Sequence, residues 1–350
     1  MQQFLNGLTL GGIYALIALG YTMVYGIVKL INFAHGDIFM LGAFMGLMVA
    51  SQFTNNFFII VIVAMAICAV VGLLVEKTAY RPLRESKPKN MIFTAVVVVL
   101  ILAVAFISKT SVANLFDNPS IFIGLAVFIV FTAWLVRGRL KSSNKGGSSR
   151  INALISAIGM SIIISNMVAL IRGPQRATYP EVISLGNITF GTITISMLQI
   201  FIILSSLVLM CILYVVVHKT KAGVAMRAVS QNADAARLMG INPNKIIAFT
   251  FAMGSALAAA AGVLVGVYYT VADPTMGNMY GLKAFVAAVL GGIGSIPGAM
   301  VGGVILGVAE VFGVAFIAPS FRDAIAFGIL ILILIVKPSG IFGSKAKEKV

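Results

Sequence analysis

Few residues in this chain are equipped for chemistry, and they gather in four places. The longest polar run is residues 218–245, His-Lys-Thr-Lys-Ala-Gly-Val-Ala-Met-Arg-Ala-Val-Ser-Gln-Asn-Ala-Asp-Ala-Ala-Arg-Leu-Met-Gly-Ile-Asn-Pro-Asn-Lys. Its punctuation predicts two short helices. Asn232 suits the cap of the second, because its side-chain oxygen can accept from the free N–H groups of a first turn. Asp234 then falls in that turn, where the helix dipole favours an anion. Gly240 ends the helix, and Pro243 stops it resuming. Ala235, Leu238 and Met239 recur at i, i+3 and i+4 as a short apolar face, and Arg237 can pair with Asp234. A helix this short is marginal alone. The pattern predicts binding rather than catalysis. It is either a structured loop packed on its own bundle or a docking helix, at about 233–239, for a soluble partner.

The second place is Asn32-Phe-Ala-His-Gly-Asp37, where Asn32, His35 and Asp37 stand together at the start of an apolar run. Ionisable groups at membrane depth are costly, and they face a cavity or a partner. These three are candidates for lining a transport path. The alternative is the end of a span, with Asp37 as a cap or paired with Lys29. The third place is Gly291-Gly-Ile-Gly-Ser-Ile-Pro-Gly298. Gly291, Gly292 and Gly294 break a helix, while Ser295 and Pro297 suit the start of another. A Gly/Pro-interrupted span points to a substrate path. Close packing is the other reading, since Gly294, Gly298 and Gly302 form small-xxx-small steps. The fourth is Glu310, which reads as a lone helix-end carboxylate rather than a proton carrier.

Missing motifs narrow the chemistry. There is no Gly-x-x-x-x-Gly-Lys-Ser/Thr phosphate loop, so ATP hydrolysis is not expected in this chain. There is no His-Glu-x-x-His zinc motif and no Gly-x-Ser-x-Gly elbow. No catalytic residue, metal site or cofactor is expected. Cys68 and Cys211 sit in apolar runs with no disulfide or metal pattern. A net charge of +15 suggests nucleic acid in a soluble protein. In a membrane protein it reports orientation instead, because cytoplasmic loops retain Lys and Arg.

The elements that hold these groups must be membrane helices. Of 350 residues, 60% are hydrophobic and 10% charged, against about 25% charged in a soluble domain. Apolar runs of roughly 20 residues, enough to cross a ~30 Å hydrocarbon layer, recur throughout. The expected fold is an all-α polytopic bundle. Spans are expected at about 8–28, 31–50, 57–76, 91–107, 120–136, 151–171, 197–217, 246–268, 284–314 and 322–336. The 284–314 stretch is either one broken element or two helices, so the count is about 9–11. The first span lacks a basic leader and reads as retained. Cations concentrate in 77–90, 137–150, 218–245 and 337–349. Placing those segments in the cytoplasm puts the N-terminus outside and the C-terminus inside. The outer connector 173–196 alternates polar and apolar residues over 186–196, which predicts a small hairpin. Asn187-Ile-Thr189 fits a glycosylation acceptor, but so short a match is expected by chance.

Several motifs resemble one family. They are Gly11-Gly-Ile-Tyr-Ala-Leu-Ile-Ala-Leu-Gly20, Asn32-Phe-Ala-His-Gly-Asp37, Tyr80-Arg-Pro-Leu-Arg84, Ile155-Ser-Ala-Ile-Gly-Met-Ser161, Met226-Arg-Ala-Val229 and the run from Lys283 to Gly298. In this order they resemble the permease subunits of branched-chain amino acid ABC importers, the H-type subunit of the Liv system rather than its M-type sister. The resemblance implies a second permease, two cytoplasmic ATPases and an extracytoplasmic substrate-binding protein, all at the cytoplasmic membrane of a prokaryote. It implies that 218–245 is the ATPase-coupling loop, and that residues 1–338 form the permease domain with 339–350 as a basic tail. One departure stands out. Residues 89–149, with two apolar runs and a Gly/Ser/Lys linker at 141–149, interrupt the family pattern and read as an inserted transmembrane hairpin. The motifs do not separate branched-chain amino acids from urea or short amides. An ion-coupled secondary transporter and a membrane scaffold are the rivals from other classes. The first would want several buried carboxylates, where only Asp37 and Glu310 offer themselves.

Overall fold

The computed structural model describes residues 1–81, 149–183, 186–190 and 193–343. The expected spans 91–107 and 120–136, most of the 89–149 insertion with its linker, and the tail from 344 lie outside the described residues. The remainder is helical. The helices are α1 (Gln2–Val28), α2 (His35–Gln52), α3 (Phe57–Val75, continued by a π-turn Glu76–Tyr80), α4 (Ser149–Arg172), α5 (Met197–Lys219), α6 (Lys221–Gln231), α7 (Ala233–Leu238), α8 (Pro243–Tyr269), α9 (Met276–Gly291), α10 (Ile296–Phe316) and α11 (Arg322–Val336). Among the described residues, seven helical segments are long and apolar enough to cross a membrane. α2 and α9 are not among them and are largely buried in the bundle.

Helix starts follow their caps. Asn56 accepts from Phe58 N and Ile59 N. Asn242 accepts from Asn244 N and Lys245 N, with Pro243 in the first turn of α8. Ser295 accepts from Gly298 N at 3.2 Å, with Pro297 just inside α10. The 284–314 stretch is therefore two helices. The first begins at Met276, earlier than hydropathy predicts, because the connector before it turns into the bundle.

α1 is the central column. Its apolar residues face every direction, since it packs on α5, α8, α9 and α10 at once. Against α10 the contact is built from glycines. A Cβ on Gly7 would stand 2.8 Å from the Val308 Cα, and one on Gly11 would stand 2.7 Å from the Val304 Cα. Gly303 and Gly307 press on Ala15 and Gly11 from the other side. Without a hydrophobic drive between helices in lipid, such close backbone approach supplies the attraction.

Two helices begin at depth. Lys29 closes α1 in a left-handed conformation (φ 57°) with its N–H on the Tyr25 carbonyl. Residues 30–34 then run back along α1, so α2 starts beside Ile17 to Tyr21, about 10–16 Å from the end of α1 along its axis. From the other side, residues 270–275 enter the bundle and start α9. Gly36 of α2 packs directly on Gly277 and Gly281 of α9.

At the outer end, β2 (Asn187–Phe190) and β3 (Ile193–Ser196) form the expected antiparallel hairpin. β1 (Ala177–Thr178) pairs antiparallel with β4 (Val271–Ala272) and ties two connectors together. At the inner end, Ser156 Oγ of α4 donates to the Ala79 carbonyl at 3.3 Å. The π-turn after α3 and the first turns of α4 thus lie side by side. We expect Gly11→Ala to lower stability by about 1–3 kcal/mol through overpacking. Gly159→Ala, where nothing lies within 4 Å of the added carbon, leaves stability unchanged. Thermal unfolding in detergent checks the pair.

Candidate functional site

The cytoplasmic-end pair α6–α7 has the predicted punctuation. Thr220 Oγ1 accepts from Gly223 N at 3.2 Å and caps α6. Asn232 Oδ1 accepts from both Asp234 N and Ala235 N at 3.0 Å. Arg237 stands 3.6 Å from Asp234. Gly240 takes the left-handed stop at φ 81°. Gly223, Met226 and Val229 of α6 and Ala236 of α7 are buried, and Arg227 donates to the Val217 carbonyl at the end of α5. The pair is therefore anchored to the bundle by one face. On the other face Ala235 is exposed, and Leu238 and Met239 are 89% and 82% exposed. Two large apolar side chains at a polar turn, held on a capped and seated helix, form a surface shaped to be covered.

Asn32, His35 and Asp37 are almost wholly buried. They form the N-terminal mouth of α2 at mid-depth. The Tyr80 hydroxyl donates to Asn32 Oδ1 at 3.1 Å. Asn32 Nδ2 is buried with no protein partner. The His35 Nε2 lies 3.2 Å from the Ile17 carbonyl, and its ring meets Tyr21 edge-on at 4.6 Å. Asp37 accepts from Ser161 of α4. The alternative in which Asp37 pairs with Lys29 at a span end is not what forms: Asp37 is held by α4, away from the end of α1.

Gly291, Gly292, Gly294, Ser295 and Pro297 form the turn from α9 into α10. Gly292 (φ 102°) and Gly294 (φ 97°) need the freedom of glycine. Gly291 and Gly298 touch, and Gly294 lies against Gly26 of α1. The chain after α11 closes over the turn, with Ile341 N and Phe342 N donating to the Leu290 and Gly291 carbonyls at 2.9 Å. The 32–37 and 291–298 segments do not meet in the structure. The Asn32–Asp37 mouth meets the first turns of α9, at Gly277 and Gly281, and the glycine turn lies at the far end of the same helix. The cause is the re-entrant path of residues 30–34.

A site that sequence reasoning missed lies nearer the outer end. Glu310 of α10 has no exposed surface. Its Oε1 is 2.9 Å from Lys283 Nζ of α9 and 3.2 Å from Arg322 Nε of α11. Its Oε2 accepts from the Tyr14 hydroxyl of α1 at 2.9 Å. Lys283 also meets Asp323 at 2.8 Å. Glu310 is thus the centre of a four-helix ion network, and not the lone helix-end carboxylate it resembles in sequence. The available signal was two charges of opposite sign inside neighbouring apolar runs, Lys283 and Glu310, which lipid could not leave apart. In the outer connector, partial burial raises the Asp273 carboxyl, but the Thr275 N–H and hydroxyl and the Arg176 guanidinium outweigh it and hold it below its ordinary value.

These features define a multi-pass membrane protein with a seated helical pair that exposes two large apolar side chains at one end and an ion network within the bundle. A family model described as branched-chain amino acid transport system / permease component matches residues 3–334. The chain is 37% identical over 363 residues to the high-affinity branched-chain amino acid transport system permease protein BraD of Pseudomonas aeruginosa, covering 100% of this chain and 98% of that one. It is 36% identical over 362 residues to the permease protein LivH of Salmonella typhimurium and to that of Escherichia coli K12, covering 100% of this chain and 97% of each. No solved structure matches it. The chain belongs to the family of branched-chain amino acid transport system permease components.

The ion network carries a stability prediction. Lys283→Met leaves Asp323 without its cation and Glu310 with one fewer, and should cost about 3–5 kcal/mol. Adding Glu310→Leu should restore part of that loss. Unfolding in detergent measures both, and fully additive losses would mean the two groups act independently.

Proposed function

We propose that this chain is a permease subunit of an ABC importer that carries branched-chain amino acids across the cytoplasmic membrane of a prokaryote, with ATP hydrolysed by separate chains. The observation that carries the reading is whole-length identity to two permeases named for that transport, in a chain without a phosphate loop. The complex comprises this chain, an M-type permease, two cytoplasmic ATPases and an extracytoplasmic binding protein. The N-terminus faces outward, and the cation-rich ends face the cytoplasm. Residues 89–149 form an inserted hairpin at the periphery.

In this reading α7 is the contact for an ATPase. Asn232, Asp234, Arg237 and Gly240 fix its ends, and Ala235, Leu238 and Met239 present the apolar face. α6 carries any displacement of α7 into the bundle, because its buried face rests on α1 and α8. ATPase movement shifts the bundle only so far as the contact differs between outward-open and inward-open states. Asn32, His35 and Asp37, at a helix start within the bilayer, and Gly291, Gly292, Gly294, Ser295 and Pro297, at the cytoplasmic turn, are two separate stations along the moving core.

Reconstitution of the complex in proteoliposomes, with ATP inside and leucine with its binding protein outside, tests the reading. ATP-dependent leucine accumulation is expected, and its absence from an assembled, ATP-hydrolysing complex would refute it. Leu238→Asp with Met239→Asp should abolish co-purification of the ATPase and reduce uptake at least tenfold, since burying two unpaired carboxylates costs more than about 1.4 kcal/mol. Unchanged assembly and uptake would remove α7 from the interface.

A further inference from the structure

At the outer end of the bundle the starts of α1 and α11 and the ends of α8 and α10 surround a cleft of about 230 Å³, several times the volume of a water in the liquid. Its polar lining includes Gln3, Asn6, Tyr268 and Arg322, and its apolar lining includes Val311 and Val314. The polar groups are held from behind. Buried Gln199 donates to Asn6 Oδ1 at 2.7 Å and to the Tyr268 hydroxyl at 3.4 Å, and Asn6 Nδ2 donates to Gln3 Oε1 at 3.3 Å. Arg322 is pinned through Nε to the buried Glu310, and its side chain remains 42% exposed.

We propose that this cleft is an outer station for the zwitterionic amino acid, with the Arg322 fork taking the α-carboxylate and Val311 and Val314 receiving the aliphatic side chain. The proposal rests on the importer reading above and adds the residues that receive the cargo. Three features carry it. An Arg fork anchored at Nε keeps four N–H donors in a plane, the geometry that matches a carboxylate. The network behind it holds two cations, Lys283 and Arg322, and two carboxylates, Glu310 and Asp323, so it is balanced. A free anion would upset that balance, whereas a zwitterion brings its own counter-charge. The cleft also pairs one polar wall with an aliphatic one, as a small-molecule site does.

The test uses the whole importer in proteoliposomes. Arg322→Lys keeps the charge on Glu310 but loses the fork, and should raise the KM for leucine-loaded binding protein about tenfold with a smaller change in kcat. Val314→Trp fills the cleft away from the ion network and should block leucine uptake in a complex that still assembles, as read by co-purification of its subunits. Val314→Cys should react with a hydrophilic thiol reagent applied outside, more slowly when leucine-loaded binding protein and ATP are present. If Arg322→Lys does not assemble, the two Val314 variants decide. Wild-type uptake by Val314→Trp, or labelling of Val314→Cys that is indifferent to leucine (as when a lipid phosphate fills the cleft), overturns the proposal. Failure of the unmodified importer to move leucine overturns the importer reading instead.

Discussion

A carboxylate with no exposed surface has to be neutralised by its neighbours, and Glu310 draws on three other helices to achieve this. Lys283 comes from α9, Arg322 from α11 and the Tyr14 hydroxyl from α1. Each helix must hold a defined height and rotation for those bonds to close. The cost of removing such charges from water is several kcal/mol per ion, so a misplaced helix is penalised at once. This network sets the outer half of the bundle, and Arg322, at its rim, is where the buried charges meet the cleft.

Elsewhere the bundle depends on close backbone approach. Gly7 and Gly11 meet Gly307 and its neighbours between α1 and α10, Gly36 meets Gly277 and Gly281 between α2 and α9, and Gly291 meets Gly298. Side chains at these points would hold the helices apart. The same closeness lets α2 and α9 begin inside the bundle, because a helix start can lie against a neighbouring backbone. Polar groups then follow of necessity: a helix that starts at depth exposes N–H groups, and Tyr21, Tyr80, Ser161, Asn32 and Asp37 collect around the start of α2. The long α1 touches α6 at one end and Glu310 near the other.

Much of this was legible in the chain. The α6–α7 pair could be read residue by residue, because caps, stops and i, i+3, i+4 faces are local rules. Asn232, Gly240 and the exposure of Leu238 and Met239 all fall where those rules put them. The hairpin at 187–196 and the break before Ser295 were legible for the same reason. Glu310 was misread because its partners lie 27 residues before it, 12 after it and 296 before it, on separate helices. No periodicity links positions so far apart. The path of residues 30–34 was not legible, because hydropathy measures how apolar a segment is and carries no information on a chain turning back at depth.

The sequence by itself determined that this is a polytopic helical membrane protein, and where the caps and stops of α6, α7, α8 and α10 fall. Composition and short-range spacing suffice for those, since transfer into lipid and the capping of a first turn depend on residues adjacent in the chain. The tertiary structure alone decided which charges neutralise which, that α2 and α9 begin within the bundle, and that Arg322 stands at the edge of a cleft. Those outcomes depend on distances between segments remote in sequence. In a low-dielectric bundle, small differences in those distances separate a satisfied ion from an intolerable one.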